Sequence, residues 1–199
     1  MVKPLQCHET LERIEAPAET PVSLAECKSH LRITASTEDD YIHDLLDAAV
    51  AFTDGMGALG KAMVTQKWRQ YFGPNPGSVR LAILPVQAVT KIAYYDPDGN
   101  EQTATLTDFD VFGNGQATSV QPSAGKSWPT TQDRPDAIWI EYESGYGDAA
   151  DVPTPLKHAI KMLVAHWYEH RENAVEAAQV AVPFGYDALI GTERACWYG

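Results

Sequence analysis

Polar and apolar positions follow two different periods along this chain, and the period changes twice. Tyr41, Leu45, Ala48 and Phe52 recur at steps of three and four, and Leu59 falls two turns further on. That spacing predicts a helix with one buried stripe, weakening near Gly55 and Gly57. Ahead of it, Ser23-Leu24-Ala25-Glu26 fits a capping box, in which a hydroxyl and a carboxylate each satisfy a free backbone N–H at a helix start. A short helix to about Leu31 follows from it. Thr37 is a second N-cap candidate, with Glu38, Asp39 and Asp40 where the helix dipole favours negative charge. The helical period returns after Thr154-Pro155, read as an N-cap followed by proline at the first helical position. Leu156, Ile160, Leu163, Val164 and Trp167 then predict a buried stripe to about Arg171. A loop around Pro183 and a last short helix from about Tyr186 complete the helical part.

Between the helical stretches the pattern is short and β-rich. Val64 to Phe72, Val79 to Leu84, Val89 to Tyr95, Gln102 to Leu106 and Ala137 to Glu143 are rich in β-branched and aromatic residues and are bounded by Pro, Gly and Asn. They predict antiparallel hairpins. Asp96-Pro97-Asp98-Gly99-Asn100 has part of a calcium-loop order, but Asp-Gly between strands is a hairpin signal, and turn chemistry suffices. The stretch PSAGKSWPTTQDRPDA reads as a mobile loop. The expected fold class is α+β: a small helical bundle with long central helices, an inserted antiparallel β-rich region and a C-terminal segment. The boundaries are an arm over 1–20, a helical core over 21–60 and 150–175, the insert over 61–149 and the segment over 176–199.

The chain has 199 residues, 44% of them hydrophobic, enough for a sizeable core without covalent staples. Its three cysteines, Cys7, Cys27 and Cys196, are scattered and lack C-x-x-C spacing, so reduced thiols in a cytoplasmic product are expected. No apolar run reaches the roughly 20 residues that span a bilayer. The formal net charge of −12 and pI of about 4.8 oppose a phosphate-gripping surface. Asp40, Asp44, Asp47 and Asp54 draw an acidic stripe along the second helix, which on charge alone is a solvated face.

The sharpest chemical motif is His166-Trp167-Tyr168-Glu169-His170, an H-x-x-E-H order. On a helix, His166 and His170 could present two imidazoles to one zinc, with Glu169 as general base. A catalytic zinc needs a third protein ligand. The downstream candidates are Glu172, Glu176, Asp187 and Glu193, and none sits in a second ligand helix. The expectation is therefore no metal, no cofactor and no catalytic residue, with a zinc-dependent hydrolase kept as the less favoured alternative. No G-x-S-x-G, phosphate loop or internal repeat is present.

Four stretches, in this order, carry a family resemblance. They are Val22-Ser23-Leu24-Ala25-Glu26 with His30-Leu31-Arg32-Ile33; Glu38-Asp39-Asp40-Tyr41-Ile42; Tyr146-Gly147 with Asp151-Val152-Pro153 and Leu156-Lys157-His158-Ala159-Ile160; and Ala165 to Glu172. A weaker fifth is Val182-Pro183-Phe184-Gly185 with Leu189-Ile190 and Arg194. In this order and spacing the chain resembles the phage head-tail connector proteins (adaptor or head-completion proteins), also found in gene transfer agents. The H-x-x-E-H string then lies in what looks like an ordinary packing helix of that family.

The resemblance implies a non-enzymatic ring, a dodecamer to match the portal, that extends the DNA channel and docks the next neck or tail component (stopper or tail terminator). DNA would pass without specific binding, no membrane is involved, and a tail-completion protein is the alternative within the same class. An acidic lining would repel the phosphate backbone, so Asp40, Asp44, Asp47 and Asp54 become channel-facing candidates. The C-terminal segment holds Phe184, Tyr186, Leu189, Ile190, Arg194, Trp197 and Tyr198, types enriched in interface hot spots. In the resembling family the chain end is expected to touch the portal, so these residues are the portal-binding candidates, ordering on docking.

Overall fold

The computed structural model describes residues 11–113, 117–170 and 184–194. In chain order its strands are β1 (Leu11–Glu15), β2 (Gln66–Phe72), β3 (Val79–Arg80), β4 (Val86–Tyr95), β5 (Glu101–Thr103), β6 (Phe109–Gly113), β7 (Thr118–Pro122) and β8 (Ile138–Ser144). The helices are α1 (Leu24–Leu31), α2 (Asp39–Thr53), α3 (Thr154–Glu169) and α4 (Phe184–Gly191). These elements form two compact units. One takes Thr65–Gly145 with the described residues up to Pro17, the other Ala18–Val64 with the described residues from Tyr146 onward.

In the β unit, β8 is the central strand of a five-stranded antiparallel sheet ordered β1-β2-β8-β4-β5. Its run Ile138-Trp139-Ile140 and its Tyr142 and Ser144 are all buried, as a strand paired on both sides requires. Trp68 faces Tyr142 in register, and the buried Tyr142 hydroxyl accepts the Ile83 N–H at 3.2 Å. Opposite charges line β1, β2 and β8: Lys67 bridges Glu15 at 2.6 Å and Glu143 at 3.8 Å, and Arg69 reaches Glu141 at 2.8 Å. The Asp96 carboxylate accepts the Asp98 and Asn100 N–H groups at 3.0 and 2.9 Å, closing the β4–β5 turn over Gly99. The turn chemistry expected from the sequence is what stands there.

A second antiparallel sheet is ordered β3-β7-β6. Val120 of β7 is buried, and Trp128 covers Phe109 with ring centroids 4.8 Å apart. The Trp128 indole N–H donates to the Gly77 carbonyl at 2.7 Å. The stretch expected to be a mobile loop is thus anchored, and Arg134 further along it lies over the Tyr95 ring at 4.2 Å. At the end of β6, Gly113 (φ +150°) leaves no room for a side chain, because a Cβ would sit 1.9 Å from the Ala117 carbonyl oxygen.

The helical unit buries Val22, Cys27, Ile42, Leu46, Ala49, Leu59, Met63, Leu156, Ile160, Leu163, Tyr186 and Ile190 in one cluster. Helix α1 opens on the expected capping box: Ser23 Oγ accepts the Glu26 N–H, and Glu26 accepts the Ser23 N–H at 2.8 Å. It ends on Arg32 in the left-handed region (φ 60°). Where the chain leaves this unit for the sheet and returns, the Tyr146 N–H donates to the Met63 carbonyl at 2.9 Å. Just beyond, Gln66 and Ser144 pair as the first residue of β2 and the last of β8.

Several expectations are corrected. The fold is not a helical bundle with long central helices: among the described residues it is β-rich, with eight strands in two antiparallel sheets and four helices of 8, 15, 16 and 8 residues. Leu11–Glu15, read as part of an arm, is an edge strand. Strands β6 and β7 went unpredicted because their apolar residues are interrupted by Asp, Ser and Gln. The buried stripe of α2 is Ile42, Leu46, Ala49 and Thr53, one residue on from the predicted one. Glu38, not Thr37, holds the N-cap position of α2, and Pro153, not Thr154, that of α3.

Candidate functional site

Within the helical unit, α4 lies against the end of α2 and against α3. The Tyr186 hydroxyl is buried 3.0 Å from Thr53 Oγ1, and that burial pushes the phenol pKa up. Phe52 stands 6.0 Å from the Tyr186 ring and 6.1 Å from the Trp167 ring, centroid to centroid. A Cβ on Gly185 would meet Met162 Cε at 2.6 Å, the movable end of a flexible side chain on α3. After α4, Arg194 Nε donates to the Ala58 carbonyl at 2.9 Å, and Glu193 accepts from the Tyr146 hydroxyl at 3.1 Å and faces the buried Lys61 at 4.0 Å.

The docking candidates therefore divide. Tyr186 and Ile190 are buried in the core of their own unit. Leu189 is partly buried against the same core. Phe184 is 93% exposed. Arg194 is exposed but engaged at Ala58. Trp197 and Tyr198 lie outside the described residues.

The acidic stripe divides too. Asp40, Asp44 and Asp47 are exposed on α2, with Asp47 3.3 Å from His43 Nδ1 one turn back. Asp54 is only 8% exposed, and its carboxylate accepts the Met63 N–H at 2.7 Å. It closes the turn after α2 and is withdrawn from the acidic face. The sequence did not reveal that Phe52 and Met56 are exposed apolar residues; the one-residue shift of the stripe is what turns Phe52 outward.

His166 occupies the last turn of α3, and His170 caps it, its Nδ1 2.9 Å from the His166 carbonyl oxygen and its ring 4.7 Å from the His166 ring. Glu169 is exposed. Among the described residues no third His, Cys, Asp or Glu joins them in a metal-holding group, and Glu172 and Glu176 lie outside those residues. Burial pushes the Cys27 thiol up to about 11, which keeps it protonated and unreactive at neutral pH. Cys7 and Cys196 lie outside the described residues.

The chain matches the head completion protein family over residues 21–179, across both units. It belongs to that family. A head completion protein is a structural part of a phage-type particle, and the function of this chain is that of a head-tail connector. No curated protein sequence matches it. Among solved structures it is similar to a chain in the virion of the native gene transfer agent (GTA) particle, with 26% identity, a TM-score of 0.75 and coverage of 94% of this chain and 96% of that one. It is also similar in fold to a chain in the neck of the empty GTA particle computed with C6 symmetry, at 24% identity and a TM-score of 0.74. A third likeness, at 22% identity and a TM-score of 0.69, is to a chain in the neck of the native GTA particle computed with C12 symmetry. In this chain the residues of the H-x-x-E-H string form the last turn and cap of α3.

Proposed function

We propose that this head completion protein is a non-enzymatic ring subunit, twelve copies of which sit beneath the portal, extend the DNA channel and dock the next neck or tail component. The observation that carries the proposal is the family match, joined by the likeness along 94% of the chain to neck chains in particles computed with C6 and C12 symmetry. Closed cyclic assemblies use heterologous contacts, which suit a chain whose two units present different surfaces.

In this reading the portal-facing element is the end of the chain, with Phe184 as its most exposed anchor, Leu189 and Arg194 beside it, and Trp197 and Tyr198 following. Tyr186 and Ile190 hold that element on its own core rather than touching the portal. Asp40, Asp44 and Asp47 would face the bore, where their charge, repeated around a ring, keeps the phosphate backbone from sticking. Imaging of the purified protein with purified portal tests the proposal. A ring of twelve copies capping the portal is the expected result; no binding at saturating concentration would overturn it.

A further inference from the structure

We infer that Lys61 is a positioning residue for the portal contact: its buried ammonium, set opposite Glu193, fixes where the chain leaves α4 and so how the end of the chain is presented. The inference rests on the portal-facing reading above. Lys61 lies in the turn that follows α2, and its side chain is 3% exposed, whereas those of Lys67, Lys91 and Lys126 are 37%, 32% and 53% exposed. A buried ammonium has given up its hydration. The Glu193 carboxylate, 4.0 Å away and too far for a hydrogen bond, offsets only part of that cost. A methionine of similar length would fill the same space with no charge to desolvate. Packing therefore does not account for a lysine here. What the charge has and a methionine lacks is a preferred partner, and a buried ion pair is best accounted for where it selects one arrangement among several.

The surroundings suit that role. Lys61 projects from a turn whose backbone is closed on itself: the Gly55 N–H donates to the Lys61 carbonyl at 2.8 Å, the Gly57 N–H to the Asp54 carbonyl at 2.8 Å and the Gly60 N–H to the Gly57 carbonyl at 3.2 Å. Glu193, just past α4, is held a second time by the Tyr146 hydroxyl, and Arg194 is held by the Ala58 carbonyl of the same turn. Within α4 itself only Tyr186 and Ile190 are buried. Those two seat one face of the helix, and the contacts at Glu193 and Arg194 set the direction in which the chain leaves it.

The pair can be removed without stranding a charge. Glu193 is 31% exposed and keeps the Tyr146 hydroxyl as a donor, so loss of the ammonium leaves no buried, unsatisfied carboxylate. The end of the chain should then loosen while the core stays folded.

The test uses the full-length chain and purified portal. Lys61→Met is expected to leave the urea midpoint unchanged or higher. In the free chain it is expected to speed exchange of the Glu193 and Arg194 amide hydrogens, both bonded to the Ile190 carbonyl, at least about tenfold. Portal binding is expected to weaken by at least about tenfold as well. Glu193→Gln, which keeps an acceptor for Tyr146 but not the charge, should do the same, and the double variant should lose no more than either single one, because each removes the same pair. Exchange at the wild-type rate, or losses that add, overturns the inference. Binding that Lys61→Met leaves at wild-type affinity overturns it alone, with the portal reading standing; a wild-type chain that does not bind the portal overturns the portal reading and this inference with it. If Lys61→Met unfolds, Glu193→Gln decides by the same two measurements.

Discussion

The Tyr186 hydroxyl and Thr53 Oγ1 meet 3.0 Å apart in the buried seam between α4 and α2, and Thr53 in turn donates to the Ala49 carbonyl at 2.8 Å. With the Thr53 proton committed to Ala49, Tyr186 is the donor of the pair. The two partners are therefore unequal. Tyr186→Phe removes a donor and leaves Thr53 bonded, so it should cost about 1 kcal/mol. Thr53→Val strands the Tyr186 hydroxyl without its acceptor and should cost more, about 1–3 kcal/mol. Urea unfolding of the two variants checks the order; a milder effect for Thr53→Val would refute this assignment of donor and acceptor.

Phe184 separates docking from folding. Its ring is 93% exposed, so Phe184→Asp should change stability by no more than about 0.5 kcal/mol, as surface substitutions do. The same change should weaken binding to purified portal at least about tenfold. Binding at wild-type affinity in a titration would remove Phe184 from the portal contact. Truncation after Pro183 is a poorer probe, because it takes Tyr186 and Ile190 out of the core along with Phe184.

The exposed acids of α2 make a kinetic prediction. Asp44→Lys with Asp47→Lys should leave the fold intact, since neither side chain is buried, and should slow DNA delivery by particles that still assemble. Single-particle ejection kinetics at low and high salt are the measurement. The slowing should shrink as salt screens the charge. Delivery at wild-type rate in low salt would place the α2 face away from the bore.

The helical unit should also lose stability in mild acid. His30 of α1 stands edge-on to His158 of α3 at 5.7 Å, and its pKa is lowered from 6.5 by burial first, then by the charges of His158 and Lys161. A lowered histidine pKa means that the unfolded chain takes up the proton first. Stability is then full above pH 6.5 and falls as pH drops through the window between that value and the lower folded-state pKa. His30→Gln should flatten the slope of unfolding free energy against pH as pH falls below 6.5. An unchanged slope would show that His30 does not supply it.

How much could be read from the sequence is clearest where single residues decide. Ser23 and Glu26 announced α1 because a capping box is local chemistry, complete within four residues. The stripe of α3 was legible because Leu156, Ile160, Leu163 and Val164 have no rival apolar face. On α2 two apolar rows run side by side, and periodicity cannot choose between Tyr41-Leu45-Ala48-Phe52 and Ile42-Leu46-Ala49-Thr53; packing against α3 and α4 makes that choice. Strand β1 was hidden because Glu12 and Glu15 are held by Arg69 and Lys67 of β2, more than fifty residues away in sequence. At the candidate site the aromatic content of the chain end was legible, but not the division between the buried Tyr186 and the exposed Phe184, which depends on where α4 meets Thr53.

The hydrogen bond from Tyr146 to Met63, with Gln66 and Ser144 paired just beyond it, brings together the two passages of the chain that lead into and out of Thr65–Gly145. Both passages of the chain stand side by side at the spacing of neighbouring antiparallel strands, about 5 Å. A short turn could therefore join Val64 to Tyr146 directly and leave the helical unit with its own core residues in place, while a module exchanged for Thr65–Gly145 would have to offer β1 an edge in place of β2. In a connector, that architecture lets the surfaces carried by the sheets diverge to suit new assembly partners without rebuilding the helices, which is a route by which one head-completion scaffold can serve particles of different design.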